Sequence, residues 1–196
     1  MRKRILRRRY HAHALTWEVF ERSLASALYD LDIGEFLVLM TEGTQYFVQF
    51  ADQGPYGMRV EAASNAYLGP EFQLQEPAIR RLITLGWNAP TYAQANMLAE
   101  PTDGSPNFFI DATCPVRTRD IARLAVRTLR EVHGAASASD LMYRAYSTEF
   151  DSIRFSQLGI ACIDAFGFGC AAILEEIAPE VPAQAQFPLA TPVEVS

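Results

Sequence analysis

The run Leu82-Ile83-Thr84-Leu85-Gly86-Trp87-Asn88-Ala89-Pro90, answered further on by Pro106-Asn107-Phe108-Phe109, marks a helix end and a strand start. The apolar residues before Gly86 recur at helical spacing. A glycine there supplies the left-handed residue that closes a helix, and Trp87 and Pro90 carry the backbone away in an extended form. A chain punctuated in this way alternates helices with strands, and no residue of the punctuation is built to do chemistry.

Upstream, Thr16 is placed to cap a first helix in which Trp17, Phe20, Leu24, Leu28 and Leu31 recur every three or four residues. Ile33-Gly34 breaks that helix. Glu35 to Thr41 is an apolar run of strand length, closed by the turn Glu42-Gly43-Thr44. Gln45 to Ala51 returns with Tyr46, Val48 and Phe50 on one face and Phe47 and Gln49 on the other. Gly57 to Asn65 alternates Met58, Val60 and Ala62 with Arg59, Glu61 and Ala63, so a three-stranded antiparallel meander is expected.

A helix is expected over Glu76 to Leu85, with Pro77 in its first turn, then a surface loop over Asn88 to Ser105 and a fourth strand from Asn107 to Ile110. Val116 to His133 reads as an amphipathic helix stopped by Gly134, with Ile121, Leu124, Ala125, Thr128, Leu129 and Val132 inward and Arg119, Arg123, Arg127 and Arg130 toward water. The order α-β-β-β-α-β-α predicts an α+β fold, an antiparallel sheet with helices on one face. Beyond Gly134, Ser139 is a plausible cap for a helix over Asp140 to Phe150, and further helices are expected over Gly159 to Ala165 and Cys170 to Ile177. The expected organisation is a basic arm over 1–14, an α+β domain over 15–134, a helical extension over 135–178 and a disordered tail over 179–196.

Six of the 17 basic residues, Arg2, Lys3, Arg4, Arg7, Arg8 and Arg9, lie in the arm, while the whole chain carries a net charge of -6. The acidic body repels phosphates, so a nucleic-acid role rests on the arm alone and is not the favoured reading. Only Ile5 and Leu6 interrupt the arm's charges, so no secretory signal is expected. Membrane insertion is not expected either, since no run approaches the roughly 18 apolar residues of a span. Cys114, Cys162 and Cys170 form no Cys-x-x-Cys pair, which suits a reducing, cytoplasmic setting.

No catalytic set, metal site or cofactor is expected. The three histidines, His11, His13 and His133, lie in no recognisable motif, and His133 at a helix C-terminus suits an imidazolium held by the helix dipole. Gly167-Phe168-Gly169 lacks the third glycine of a dinucleotide loop. Glu175-Glu176 and Asp30-x-Asp32 sit at helix ends, where solvation accounts for them. An alternative keeps a small-ligand or enzymatic pocket between the sheet and the C-terminal helices, using Cys162, Asp164 or Tyr143. What remains is a second apolar sheet face, supplied by Phe36 to Met40 and by Phe47. It packs on the C-terminal helices, dimerises, or receives an extended peptide.

Several of these segments together carry a likeness: Trp17-x-x-Phe20, the Phe36-to-Phe50 hairpin, Arg59-Val60-Glu61-Ala62 with Ser64-Asn65, Leu85-Gly86-Trp87-x-x-Pro90, Pro106-Asn107-Phe108, and Ala125-x-x-Thr128-Leu129-Arg130-x-Val132-x-Gly134. Over about residues 15 to 134 the chain resembles the actinobacterial TY-Chap domains, relatives of type III secretion chaperones and of YbjN proteins. The resemblance implies a non-catalytic, chaperone-like module for a peptide or protein client, linked to secretion or conflict systems and working as a homodimer. On that reading a client segment is held by backbone pairing and apolar pockets, with Phe36, Val38, Phe47 and Trp87 as contact residues.

Overall fold

The computed structural model describes residues 15–91, 104–149 and 151–163. The Thr16 hydroxyl accepts a hydrogen bond from the Val19 N–H at 3.3 Å, and helix α1 runs from there over Trp17–Tyr29. Its Phe20, Leu24, Ala27 and Leu28 are buried, the stripe that the spacing requires. Strands β1 (Glu35–Thr41), β2 (Phe47–Asp52) and β3 (Met58–Ala62) follow as the antiparallel meander. Helix α2 covers Glu76–Leu85. It ends on Gly86 at φ 109°, where Gly86 N–H donates to the Ile83 carbonyl at 3.0 Å and Trp87 N–H reaches back to that of Leu82 at 3.2 Å. This paired closure needs a left-handed residue, which is why glycine stands there.

Strand β4 (Phe108–Ala112) then pairs with β3, and helix α3 (Thr118–Glu131) buries Ile121, Ala125, Thr128 and Leu129. Helices α1 and α3 pack together over one side of the sheet, and α2 lies against α3, where Arg81 Nε donates to Glu131 at 2.7 Å. Leu37, Leu39, Val48, Phe50 and Val60 point into the space below the helices and are fully buried, each worth roughly 1.5–3 kcal/mol.

Asp140 to Phe150 does not continue as a helix. Leu141–Ser147 is a strand, β5, and it pairs antiparallel with β1 along that strand's other edge, from Thr41 against Leu141 to Glu35 against Ser147. The cap-like residues do something more local. Ser137 and Asp140 form a reciprocal capping box around a single 3-10 turn, with Ser137 N–H donating to Asp140 at 2.8 Å. Asp140's carbonyl then accepts from Glu42 N–H at 3.0 Å, which brings the start of β5 beside the end of β1.

The helix expected at Gly159 to Ala165 is also replaced. Ser156–Leu158 is a 3-10 turn stopped by left-handed Gly159, and β6 (Ala161–Cys162) runs parallel to β5. Among the described residues the sheet is therefore six-stranded in the order β4-β3-β2-β1-β5-β6, antiparallel but for the β5–β6 pair. The basic arm, the expected helix at Cys170 to Ile177 and the expected tail lie outside the described residues.

His133 departs from its expected role as an imidazolium at a helix end. It is only 4% exposed, its ring stacks on Tyr46 at 4.9 Å, and neither ring nitrogen has a hydrogen-bond partner. Burial pulls its pKa down to about 3, so the imidazole is neutral. The chain turns inward after α3 because Gly134 takes φ 72° and Ala135 N–H returns to the Leu129 carbonyl at 2.9 Å.

Candidate functional site

The second face of the sheet follows from strand register. Three rows of side chains cross it. One runs Tyr146, Phe36, Ala51, Arg59, Asp111; the next Arg144, Val38, Gln49, Glu61, Phe109; the third Met142, Met40, Phe47. Residues two apart on a strand share a face, so Phe36, Val38 and Met40 of β1 stand together, with Phe47 opposite Met40. The sequence reading placed Phe36, Val38 and Phe47 on this second face, and they meet there.

Val38 and Phe47 form the floor, at 7% and 9% exposed, while Phe36, Met40, Met142 and Tyr146 are partly exposed. Phe36 stacks on Tyr146 with ring centroids 5.2 Å apart and the rings 19° from parallel. Burial pushes the Tyr146 phenol above its ordinary pKa, with Arg144 pulling the other way, so the phenol is neutral at physiological pH.

Toward β3 and β4 the same face turns polar. Arg59 grips Asp111 through Nε at 2.7 Å and Nη2 at 2.8 Å, and it lies over the Phe109 ring at 5.3 Å. Gln49 and Ser105 both donate to the Glu61 carboxylate. Arg59 Nη1 also donates to the Gly104 carbonyl at 2.8 Å. The base of the segment between β4 and the Gly86 stop is pinned here, with Thr91 N–H donating to the Ser105 carbonyl at 2.9 Å. The apolar patch is thus bounded by a committed polar network on one side.

Trp87 does not belong to this face. It is 2% exposed, and its indole N–H donates to Thr128 Oγ1 of α3 at 2.9 Å, so it packs and anchors between the Gly86 stop and the helix layer.

Of the residues named for an enzymatic pocket, Asp164 lies outside the described residues. Tyr143 and Cys162 face each other across β5 and β6, but Tyr143 is buried and its hydroxyl accepts from Phe155 N–H at 2.9 Å. Burial, with the Cys162 thiol second, pushes the phenol's pKa up, which suits a structural hydroxyl better than an acid or base. Among the described residues no three His, Cys, Asp or Glu side chains gather as metal ligands.

The residues missed from sequence are those of β5: Met142, Arg144 and Tyr146. Their signal was the period-two alternation of Leu141, Tyr143 and Ala145 with Met142, Arg144 and Tyr146.

A family model, TY-Chap3, described as "T3SS (YopN, CesT) and YbjN peptide-binding chaperone 3", matches residues 11–147. The chain belongs to this family. The match to TY-Chap3 ends on the last residue of β5, so the strand outside the expected domain is part of the family's domain. No curated protein and no solved structure matches the chain. Among the described residues no helix is long and apolar enough to cross a membrane.

Proposed function

We propose that this TY-Chap3 chain is a non-catalytic chaperone module that holds an extended client segment against the sheet face formed by β1, β2 and β5. The observation carrying this reading is the patch of Phe36, Val38, Met40, Phe47, Met142 and Tyr146 on the face away from α1 and α3. Its rims are large flexible or aromatic side chains over a nearly buried floor, a surface that adapts to varied apolar residues.

Face contact suits this fold better than strand addition. On the outer edge of β5, Ile153 N–H donates to the Ala145 carbonyl at 2.9 Å and Ile163 N–H to that of Tyr143 at 2.8 Å. On the outer edge of β4, Phe109 exchanges both backbone bonds with Asn88. Little edge is left for a client to pair with.

The test is anisotropy with labelled peptides of about 12 residues that alternate apolar and Ser positions. Phe36→Ser and Met40→Ser should each weaken binding about tenfold or more, as losing most of a large apolar anchor implies. Undiminished binding by a natively folded double variant would overturn the proposal. We further propose the cytoplasm as the compartment, which the exposed free thiol of Cys114 suits. A homodimer is proposed as the working state, measured by sedimentation velocity.

A further inference from the structure

Helices α1 and α3 run antiparallel, since Arg123 meets Glu21 at 3.5 Å while Arg130, further along α3, lies over the ring of Trp17, one turn earlier on α1, at 5.5 Å. On their outer side they leave a groove of about 590 Å³. Glu21, Arg22, Ala25 and Tyr29 of α1 wall it on one side, and Arg119 and Arg123 of α3 on the other. It lies on the helix side of the fold, apart from the apolar sheet face.

The arginines around it divide into two sets. Arg117 pairs with Asp120 at 3.6 Å, Arg123 with Glu21 and Asp120, Arg127 with Glu131 at 2.9 Å, and Arg130 covers Trp17. Arg22 and Arg119, one on each wall, are exposed and form no ion pair or hydrogen bond among the described residues, Arg22 acting on the exposed Glu18 carboxyl only through space. In a chain of net charge -6, acidic side chains are in excess, yet among the described residues these two guanidinium groups stand on opposite walls of a groove with no carboxylate within ion-pair distance. Beside them Tyr29 presents a ring that is 81% exposed, next to the small buried Ala25.

We propose that this groove binds an acidic peptide segment, its carboxylates received by Arg22 and Arg119 and an apolar residue laid against Ala25 and Tyr29. The guanidinium fork matches a carboxylate bidentately, which makes Arg the residue suited to this contact. From Arg22 to Tyr29 the helix advances about 10 Å. That equals roughly three residues of extended chain, so the fitting pattern places an apolar residue about three positions from an acidic one. Charge complementarity favours such a segment over a second copy of this acidic chain.

The experiment compares fluorescein-labelled Glu-Leu-Glu-Leu-Glu with Gln-Leu-Gln-Leu-Gln on the full chain by anisotropy, at about 50 mM and about 200 mM salt. The Glu peptide should bind at least about tenfold tighter and lose affinity at the higher salt. Arg22→Gln and Arg119→Gln should each weaken it about fivefold or more. Arg80→Gln, which removes an exposed α2 arginine paired with Glu76, should leave it unchanged. Equal affinity for the two peptides, or undiminished binding by the Arg22→Gln/Arg119→Gln variant, overturns the proposal. So does an Arg80→Gln loss as large as that of Arg119→Gln. A double variant that loses self-association instead of peptide binding assigns the groove to a second copy and overturns it too.

Discussion

His133 makes the fold sensitive to mild acid. The buried imidazole takes a proton only near pH 3, whereas the unfolded chain takes one at the ordinary value of 6.5. Between those values the unfolded state binds more protons, so stability falls as pH drops through 6.5, and the loss is complete only below about 3. At about pH 5 the unfolded histidine is almost fully protonated and the native one is not, a difference of about 2 kcal/mol. That is a sizeable part of the 5–15 kcal/mol typical of a domain. The lowered pKa values of Glu131, held chiefly by Arg127 and Arg81, and of exposed Glu18 act with the same sign. Their contributions are lost only below about the unfolded value of 4.5. Urea unfolding followed by Trp17 and Trp87 fluorescence, at about pH 7, 6 and 5, measures the slope. His133→Phe keeps a ring against Tyr46 and removes the titration, so its stability should be nearly flat from about pH 7 to 5 while the wild type loses about 2 kcal/mol. A variant with the same slope as the wild type would refute the reasoning.

Two glycines of similar φ, with ψ -135° at Gly57 and 9° at Gly86, should respond differently to alanine in thermal melts. At Gly57, φ 102°, an added Cβ would lie 1.9 Å from the Ala112 carbonyl oxygen, whereas at Gly86, φ 109°, it meets nothing within 4 Å. Gly86→Ala should cost about 1 kcal/mol of left-handed strain, and Gly57→Ala should cost several times that or prevent folding; the reverse order would contradict the packing described. Trp87→Phe should cost about 1–3 kcal/mol in a denaturant titration, partly by leaving Thr128 Oγ1 without its donor. Adding Thr128→Val should cost less than the sum of the two single changes. A chain ended after Gly134 loses the buried Leu141, Tyr143 and Ala145 and exposes the long edge of β1, so it should aggregate on size-exclusion chromatography.

The parts of the fold legible in sequence are those whose signals are local. Thr16 caps α1, Gly86 closes α2, and the alternation in β2 and β3 sorts Val48, Phe50, Met58 and Val60 inward, because each signal acts within a turn or a pleat. β5 was missed because its residues argue both ways. Leu, Met and Ala favour helices, and Ser137, Ser139 and Asp140 look like a helix start. Their hydrogen bonds serve one 3-10 turn, and the strand state is selected by the free edge of β1, about a hundred residues earlier in the chain. His133 misled for a related reason. A helix-end position predicts solvent and the dipole, but Tyr46 on the β1–β2 hairpin closes over the ring, a contact between distant parts of the chain.

The same non-local step builds the candidate site. With β2 as its only neighbour, β1 would be an edge strand with open backbone groups, and Phe36 and Met40 would form a narrow ridge. Pairing with β5 removes that edge and doubles the apolar width, placing Tyr146 beside Phe36 and Met142 beside Met40. It also moves the open backbone to β5, where residues 151–153 and 161–163 take it up. Backbone pairing and an apolar face are therefore traded against each other: the strand that widens the face removes the edge a client would have joined. Elsewhere on that face, Gln49, Arg59, Glu61 and Asp111 are committed to internal partners, and Arg144 stands beside Val38. On the proposed reading, specificity toward a client comes chiefly from the shape and spacing of its apolar side chains.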